Sequence, residues 1–338
     1  MPPYGEQMIR PAITVIISAY NRKQFLPEAI ESVRRQSIAH DLYELIVVKN
    51  FHDEAVEKKV EEMGGKCLYF ENMLLSPFIS EAVENSKGGI ICFLDDDDIF
   101  EQDKLEIVLK AFSENPDAGY YHNSLSFVDE AGTSIKPPYA FNFSIAKDPE
   151  RMLLIPHREI PGKISKLIYM RHDFNRSCIS VRKEILMQFM AESRKIEFSH
   201  DSFVFFCAAM SCYSLMIDSR RLTRYRVNRH SVTLSPTYNI TLRQIRSYSV
   251  MRDMALKNGE IEIANLLERQ ILFFKTINAI NNPLESRRNV MKSFLKFLEH
   301  RNEYNRMANA FAGVLSIIYL LSPTLSKRLY SELTEADS

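Results

Sequence analysis

The feature that most constrains this chain is a series of four short apolar stretches in its first hundred residues. They are Ile13-Thr14-Val15-Ile16-Ile17, Leu45-Ile46-Val47-Val48, Lys66-Cys67-Leu68-Tyr69-Phe70 and Gly89-Ile90-Ile91-Cys92-Phe93-Leu94. Each is short for a helix, and most are apolar throughout, as strands covered on both faces must be. Between them lie stretches with helical spacing: Leu26, Ala29, Ile30 and Val33; then Val56 to Met63, stopped by Gly64-Gly65; then 77–87, stopped by Gly88-Gly89. This alternation predicts an α/β protein with a doubly wound, mostly parallel sheet.

The fourth stretch runs directly into Asp95-Asp96-Asp97-Asp98. Open α/β sheets bind their ligands at the ends of central strands, and these acids stand at such an end. Neighbouring carboxylates repel one another and gain protons unless a cation joins them. A hard divalent ion, Mg²⁺ or Mn²⁺, held by carboxylate oxygens and itself gripping substrate phosphates, accounts for the cluster. A helix cap ahead of Lys104–Leu109 accounts for one acid, Asp98, and not for four.

At 338 residues the chain has room for one large α/β domain and a smaller unit. Tyr120 to Val128 reads as a strand, closed by a turn at Asp129-Glu130-Ala131-Gly132. Residues 134–175, with Pro137, Pro138, Pro156 and Pro161, have no clear period and read as a long irregular insert of the kind that is functional or mobile. Helical spacing returns at Arg182–Ala191 and Asp201–Ser211, followed by strand or loop at Tyr213–Ile217 and Leu222–Val227. Beyond Pro236 four helices are predicted, near 239–257, 260–280, 284–300 and 304–321. The expected division is therefore 1–235 and a helical extension, 236–338.

Net charge is zero but unevenly spread. Residues 41–117 carry 19 acids against 7 Lys and Arg, and residues 220–306 carry 17 Lys and Arg against 7 acids. The basic region either faces phosphates or an anionic membrane, or complements the acidic half on packing. No nucleic-acid partner is expected. The five cysteines show no C-x-x-C spacing and read as reduced thiols. Residues 1–12 lack a signal-peptide pattern, and Ala308–Leu321 is too short for a membrane span. A cytoplasmic location follows as the expectation, with the cytoplasmic membrane face as the alternative. Phe311, Val314, Leu315, Ile317, Ile318 and Leu321 ahead of Lys327-Arg328 would then lie on membrane, pack in the core or form a homodimer contact.

Several segments, in this order and spacing, resemble family 2 glycosyltransferases. Pro11 to Arg22, with Leu26 to Val33 and Gln36 downstream, resembles that family's opening, and Glu44 to Val48 its second strand. Gly88 to Asp98 resembles the strand leading into its D-x-D motif, and Tyr225 to Thr233 its Y-R-x-H segment. The resemblance covers residues 11–235 and implies a GT-A fold, a nucleotide-diphosphate sugar donor, a divalent metal and inversion at the anomeric carbon. It implies that Ser18, Ala19, Tyr20, Asn21 and Arg22 pack on the base and ribose, with Asn50 and Asp96 in the same donor set. Asp95 would approach the ribose hydroxyls, and Asp97 would hold the metal; His230 is either a further ligand or a plain surface or core histidine. A UDP-sugar is the expected donor, a GDP-sugar the second, and a glycan or lipid-linked sugar the acceptor.

Inverting transfer also needs a base for the acceptor hydroxyl. The family uses an acid at the start of a helix, usually the second of an acidic pair; here the place reads Phe198-Ser199-His200-Asp201, making Asp201 the candidate base. The plain alternative for Asp201 is a helix N-cap. Three departures stand out: Lys49-Asn50 where the second strand usually ends in Asp, Phe78-Ile79-Ser80-Glu81-Ala82 in place of A-R-N-x-G, and Asn228 at the usual His position. His157, Arg158, Lys163, Lys166, Arg171 and His172 in the insert either hold an acceptor phosphate or form a solvated basic loop. Two rival readings carry different chemistry. One is a sugar-nucleotide-binding scaffold of the same fold without turnover. The other is a haloacid-dehalogenase-type phosphohydrolase, which expects Thr or Val where this chain has Ile99.

Overall fold

The computed structural model describes residues 11–70, 75–137, 152–227 and 238–281, with isolated positions between 288 and 322. His230, Asn228, Pro138 and most of the two last expected helices lie outside the described residues, as does the expected boundary near 235.

One mixed sheet organises the chain, with strands β1 (Ile13–Ala19), β2 (Tyr43–Lys49), β3 (Lys66–Tyr69), β4 (Ile90–Asp95), β5 (Ile99–Phe100), β6 (Ala118–Val128), β7 (Ser134–Ile135), β8 (Leu153–Ile155), β9 (Ile179–Arg182) and β10 (Ser214–Arg226). Their order is β3-β2-β1-β4-β9-β6-β10-β5, with β7 on β6 and β8 on β10. The first four strands are parallel. β9 runs antiparallel to β4 and β6, while β6 and β10 are again parallel.

Successive residues of a strand face opposite sides, so a run apolar throughout requires two cores. Both are present. Val15, Ile17, Leu45, Val47, Cys92 and Leu94 pack with Leu26, Ile30, Leu105 and Val108 from helices Leu26–Arg34 and Lys104–Glu114. Ile16, Ile46, Val48, Ile91 and Phe93 pack on the other side with Ile164, Phe203, Met251 and Leu267. Helix Glu54–Glu62 starts where Asp53 Oδ1 accepts the Val56 amide at 3.2 Å, and it is followed by Gly64 with φ +69°.

The sheet and its two helical layers match the sequence expectation; the second half of the chain refines it. The span expected as an irregular insert holds β7, β8 and the helix Ile160–Tyr169, whose Pro161 sits in the first turn where a missing N–H costs nothing. The stretch expected as a helix over 182–191 is two short helices, Lys183–Gln188 and Met190–Ser193, preceded by β9. The two segments at 213–217 and 222–227 are one bulged strand, β10, with register shifts beside Asp218 and Arg221. Helices Tyr238–Lys257 and Ile261–Asn281 form as expected and bury Met251, Met254, Ile263, Leu267 and Ile271 in the same core as β4 and β9.

Candidate active site

β1 and β4 are neighbours, but the chain leaves β1 toward β2 and β3 on one side and reaches β4 on the other. Their C-terminal ends therefore border the crevice where strand order reverses, the ordinary ligand position in an open α/β sheet. Ser18 stands opposite Asp95 across this junction, and their side chains approach to 3.5 Å. The loop after β1 turns through Asn21, whose φ of 55° is left-handed. A reciprocal pair of hydrogen bonds holds it to Asn50: the Asn21 amide donates to Asn50 Oδ1 at 2.8 Å, and Asn50 Nδ2 donates to Asn21 Oδ1 at 2.7 Å. The residue that departs from the family's second-strand Asp thus shapes the loop itself.

Two arginines grip the acids. Arg22 forks onto Asp96 and also donates to Asp97 Oδ2 at 2.5 Å. Arg176 pairs with Asp95 and donates to Ser18 Oγ at 2.5 Å. Asp98 has a different role. It is 1% exposed, accepts from Ser177 Oγ at 2.6 Å, Asn175 Nδ2 at 3.2 Å and the Arg226 amide at 3.1 Å, and so ties β4 to the turn before β9 and to β10. It does not cap the helix that follows, which begins after Asp103. Burial, with the other acids adding to it, raises the proton affinity of Asp98 and Asp97; burial lifts Asp96 to about 7 against the pull of Arg22.

Asp201 lies in the first turn of helix His200–Ala209. Ser199 takes the cap position in a left-handed conformation and makes no capping hydrogen bond with its side chain. Asp201 Oδ2 accepts the Asn175 amide at 3.2 Å, and Asn175 Nδ2 in turn reaches Asp98. One residue therefore links the acid cluster to the candidate base. Burial, then the neighbouring Asp173, pushes Asp201 up to about 6. All four non-glycine residues described with positive φ (Asn21, Arg171, Asn175 and Ser199) lie in the loops that carry these side chains. Backbone strain of this kind collects where a fold must hold polar groups in fixed positions.

Of the residues predicted from sequence, Ser18, Asn21, Arg22, Asn50, Asp95, Asp96 and Asp97 converge at the β1–β4 end, joined to Asp201 through Asn175 and Asp98. Ala19 is buried on β1 and Tyr20 begins the loop. His230 lies outside the described residues. The insert's basic residues divide: His172 is buried, and burial lowers its pKa to about 4, while Lys163 pairs with Glu159 on an exposed helix face. Two buried cations, Arg176 and Lys104, were not anticipated, and Arg226 entered only as part of the Tyr225–Thr233 segment. Arg176 pairs with Asp95, Lys104 bonds the Ser177 carbonyl and Thr223 Oγ1, and Arg226 reaches the Asp97 carbonyl at 2.9 Å and Glu28 Oε2 at 2.5 Å.

Among the described residues, no group of three or more His, Cys, Asp or Glu side chains is arranged to hold a metal ion. Mg²⁺ and Mn²⁺ at phosphate sites need fewer, because one or two carboxylates share the ion with substrate oxygens. The guanidinium of Arg22 between Asp96 and Asp97 shows that these acids accept a cation in place. The donor set fits a hard divalent ion completed by a ligand.

Residues 14–179 match the family model described as Glycosyl transferase family 2. The matched residues, just under half of the chain, are similar to that family. An uncharacterized glycosyltransferase of Rickettsia bellii is 31% identical over 145 residues, 41% of this chain and 21% of the relative. An uncharacterized glycosyltransferase of Methanocaldococcus jannaschii is 27% identical over 56% of this chain and 72% of its own length. The chain thus spans about a fifth of the Rickettsia relative it matches. Among solved structures, residues 1–349 of Staphylococcus aureus TarS in complex with UDP-GlcNAc superpose with a TM-score of 0.61 at 14% identity, covering 96% of this chain and 90% of that one. The mannosyltransferase PcManGT from Pyrobaculum calidifontis, in complex with GDP-Man and Mn²⁺, gives 0.51 at 15% identity over 97% and 86%. At such identities the likeness concerns the fold, which is GT-A and extends through the helical region. The family match stops before Asp201, so this side chain's role rests on its geometry.

Proposed function

We propose that the chain is an inverting, metal-dependent glycosyltransferase that moves a sugar from a nucleotide-diphosphate donor, a UDP-sugar before a GDP-sugar, to a hydroxyl of a glycan or lipid-linked acceptor. The observation that carries this reading is the link from Asp95–Asp98 through Asn175 to Asp201 at the sheet's switch point. In this reading the loop Ser18–Arg22 with Asn50 receives the base and ribose, and Asp95 meets the ribose hydroxyls. Asp97, with His230 as a further ligand, holds Mg²⁺ or Mn²⁺, which when bound neutralises charge on the diphosphate.

Transfer is a single in-line displacement. The acceptor oxygen attacks the anomeric carbon while the bond from that carbon to the diphosphate oxygen breaks, and its electron pair leaves with the nucleotide. Asp201 takes the acceptor's proton as the new bond forms. A carboxylate lifted to about 6 is still largely ionised at neutral pH and is a stronger base than an ordinary one. The N-terminal GT-A unit would end near residue 235, with the helices behind it as a docked extension. No helix among the described residues is long and apolar enough to cross a membrane. In this reading the enzyme works in the cytoplasm or at the membrane's cytoplasmic face.

A thermal-shift screen with UDP, GDP and dTDP, each with and without Mn²⁺, tests the donor site. A ligand at 100 times its Kd adds about 2.7 kcal/mol to the folded state, so UDP with Mn²⁺ is expected to raise Tm clearly. No shift with any of the three in the presence of the ion overturns the reading.

A further inference from the structure

Where the family pattern has an acidic pair, this chain has His200 followed by Asp201. His200 does not serve as the missing acid. Both of its ring nitrogens are buried without a hydrogen-bond partner, and burial, with Arg176 adding to it, lowers its pKa to about 3. A second acid nevertheless reaches Asp201 from elsewhere in the chain. Asp173, in the loop after helix Ile160–Tyr169, is 6% exposed. Ser202 joins the two: its amide donates to Asp201 Oδ1 at 2.9 Å, and its hydroxyl donates to Asp173 Oδ2 at 3.0 Å. Tyr248, from helix Tyr238–Lys257, donates its own hydroxyl to Ser202 Oγ at 3.3 Å. Asp173 Oδ1 is buried and has no hydrogen-bond partner.

We propose that Asp173 is a positioning acid for Asp201, the two forming a carboxylate dyad that binds one proton in common, bridged by Ser202 and braced from the helical extension by Tyr248. The proposal rests on Asp201 being the base. A lone buried carboxylate with an unpartnered oxygen costs stability; a proton shared with a neighbouring carboxylate offsets that cost. The charged and titratable groups facing the dyad are Arg171 from its own loop, Arg176 from the turn before β9, His200 from the same helix as Asp201, Tyr120 from β6 and Tyr248. Arg171 and Arg176 favour the ionised form of Asp201, whereas burial and Asp173 oppose it. His200 stays neutral through the working range, and burial keeps both tyrosines protonated. In this setting Asp173 is the neighbouring group that lifts Asp201 beyond what burial alone achieves.

The test is a carboxyl titration of the full chain by NMR with ¹³C-labelled aspartate, the Asp201 signal being assigned with Asp201→Asn. The wild-type signal is expected to titrate near 6 in two coupled steps. Asp173→Asn retains an oxygen for Ser202 but removes the charge, so the midpoint should fall by roughly one pH unit and the curve become a single step. If that variant does not fold, Ser202→Ala decides: Asp173 then holds the shared proton more strongly, and the Asp201 midpoint falls in the same direction. An unmoved midpoint in a folded variant overturns the dyad. Once a donor and acceptor are known, the acid limb of kcat/KM should move with the NMR midpoint while KM for the donor stays constant, a split that a merely structural role would not produce. Nucleotide binding measured on the same samples separates the two ideas. Binding with an unmoved midpoint removes only the dyad, and absence of binding in the wild type removes the glycosyltransferase reading.

Discussion

Burying the carboxyl of Asp201 comes at a cost to the fold. Its carboxyl rises from an ordinary value of 3.8 to about 6, so the folded state binds a proton more tightly than the unfolded chain does. The stability this group supplies is therefore complete below pH 3.8 and lost as pH rises through about 6. Asp201→Asn never ionises, and its single oxygen accepts only one of the two amides, those of Asn175 and Ser202, that the carboxylate holds. Its unfolding free energy relative to the wild type should rise between those two pH values and then stay constant, the rise being on the order of 1–3 kcal/mol. Transfer should fall by roughly 10²–10⁴-fold with UDP binding unchanged, as measured by initial rates and by thermal shift. A difference that does not change with pH would show that the carboxylate is not desolvated as described. At this scale the acids were legible because a strand end followed by four aspartates has few other uses. Arg176 and Lys104 were not, and the segment containing Arg226 gave no sign of its burial. Each is buried by partners far away in the chain, and a buried cation leaves neither period nor spacing in its own neighbourhood.

Elements formed where local pattern and tertiary role agree, and were missed where they conflict. β1, β2 and β4 are buried on both faces, so their apolar runs are unbroken and easily read. β9 is only four residues, includes Ser180 and ends in Arg182, whose side chain reaches the Ala118 carbonyl at 2.7 Å; nothing local separates it from a loop. β10 carries Asp218, Arg220 and Arg221 at its bulges, and these break an alternation that would otherwise have read as one strand. Just before β4 begins, the chain runs close against the backbone of β1. A Cβ on Gly88 would lie 2.5 Å from both the Ile13 carbonyl carbon and the Thr14 nitrogen, and backbone cannot step aside as a side chain can. Gly88→Ala should therefore lower the free energy of urea unfolding by about 3 kcal/mol. Since the acids hang from the end of β4, nucleotide binding should weaken with it. The corresponding change at Gly89, where no atom lies within 4 Å of the added Cβ, should be nearly neutral. Equal effects at the two positions would show that strand approach is not what Gly88 provides.

At the scale of the molecule, the two helices Tyr238–Lys257 and Ile261–Asn281 share a core with the helix that carries Asp201. Tyr248, Met251 and Met254 share a core with Phe203 and Ile196 beside the helix that carries Asp201. Polar contacts fix the register of this docking. Ser247 Oγ, fully buried, accepts the amides of Glu197 at 2.9 Å and Phe198 at 3.0 Å, and Arg246 pairs with Glu197 at 2.6 Å. Those amides lie immediately before Ser199, the left-handed residue from which helix His200–Ala209 departs. The sequence placed both helices; the expected start of the extension, near residue 235, lies outside the described residues. Amphipathic spacing reveals that a helix has a buried face, not which surface buries it. Ser247→Ala leaves two amides without their acceptor, a loss of about 1–3 kcal/mol that removing an exposed hydroxyl would not cause. Because the freed segment sets the position of Asp201, kcat should fall while donor binding, held at the β1–β4 end, remains. Arg246→Ala removes a partly exposed pair and should cost at most about 1 kcal/mol. Urea denaturation followed by both far-ultraviolet circular dichroism and tyrosine fluorescence should then show one coincident transition for the wild type and for each variant, because a shared core unfolds as a unit. Two separated transitions, with the catalytic unit outlasting the helices and retaining activity, would instead mark a true domain boundary near residue 235.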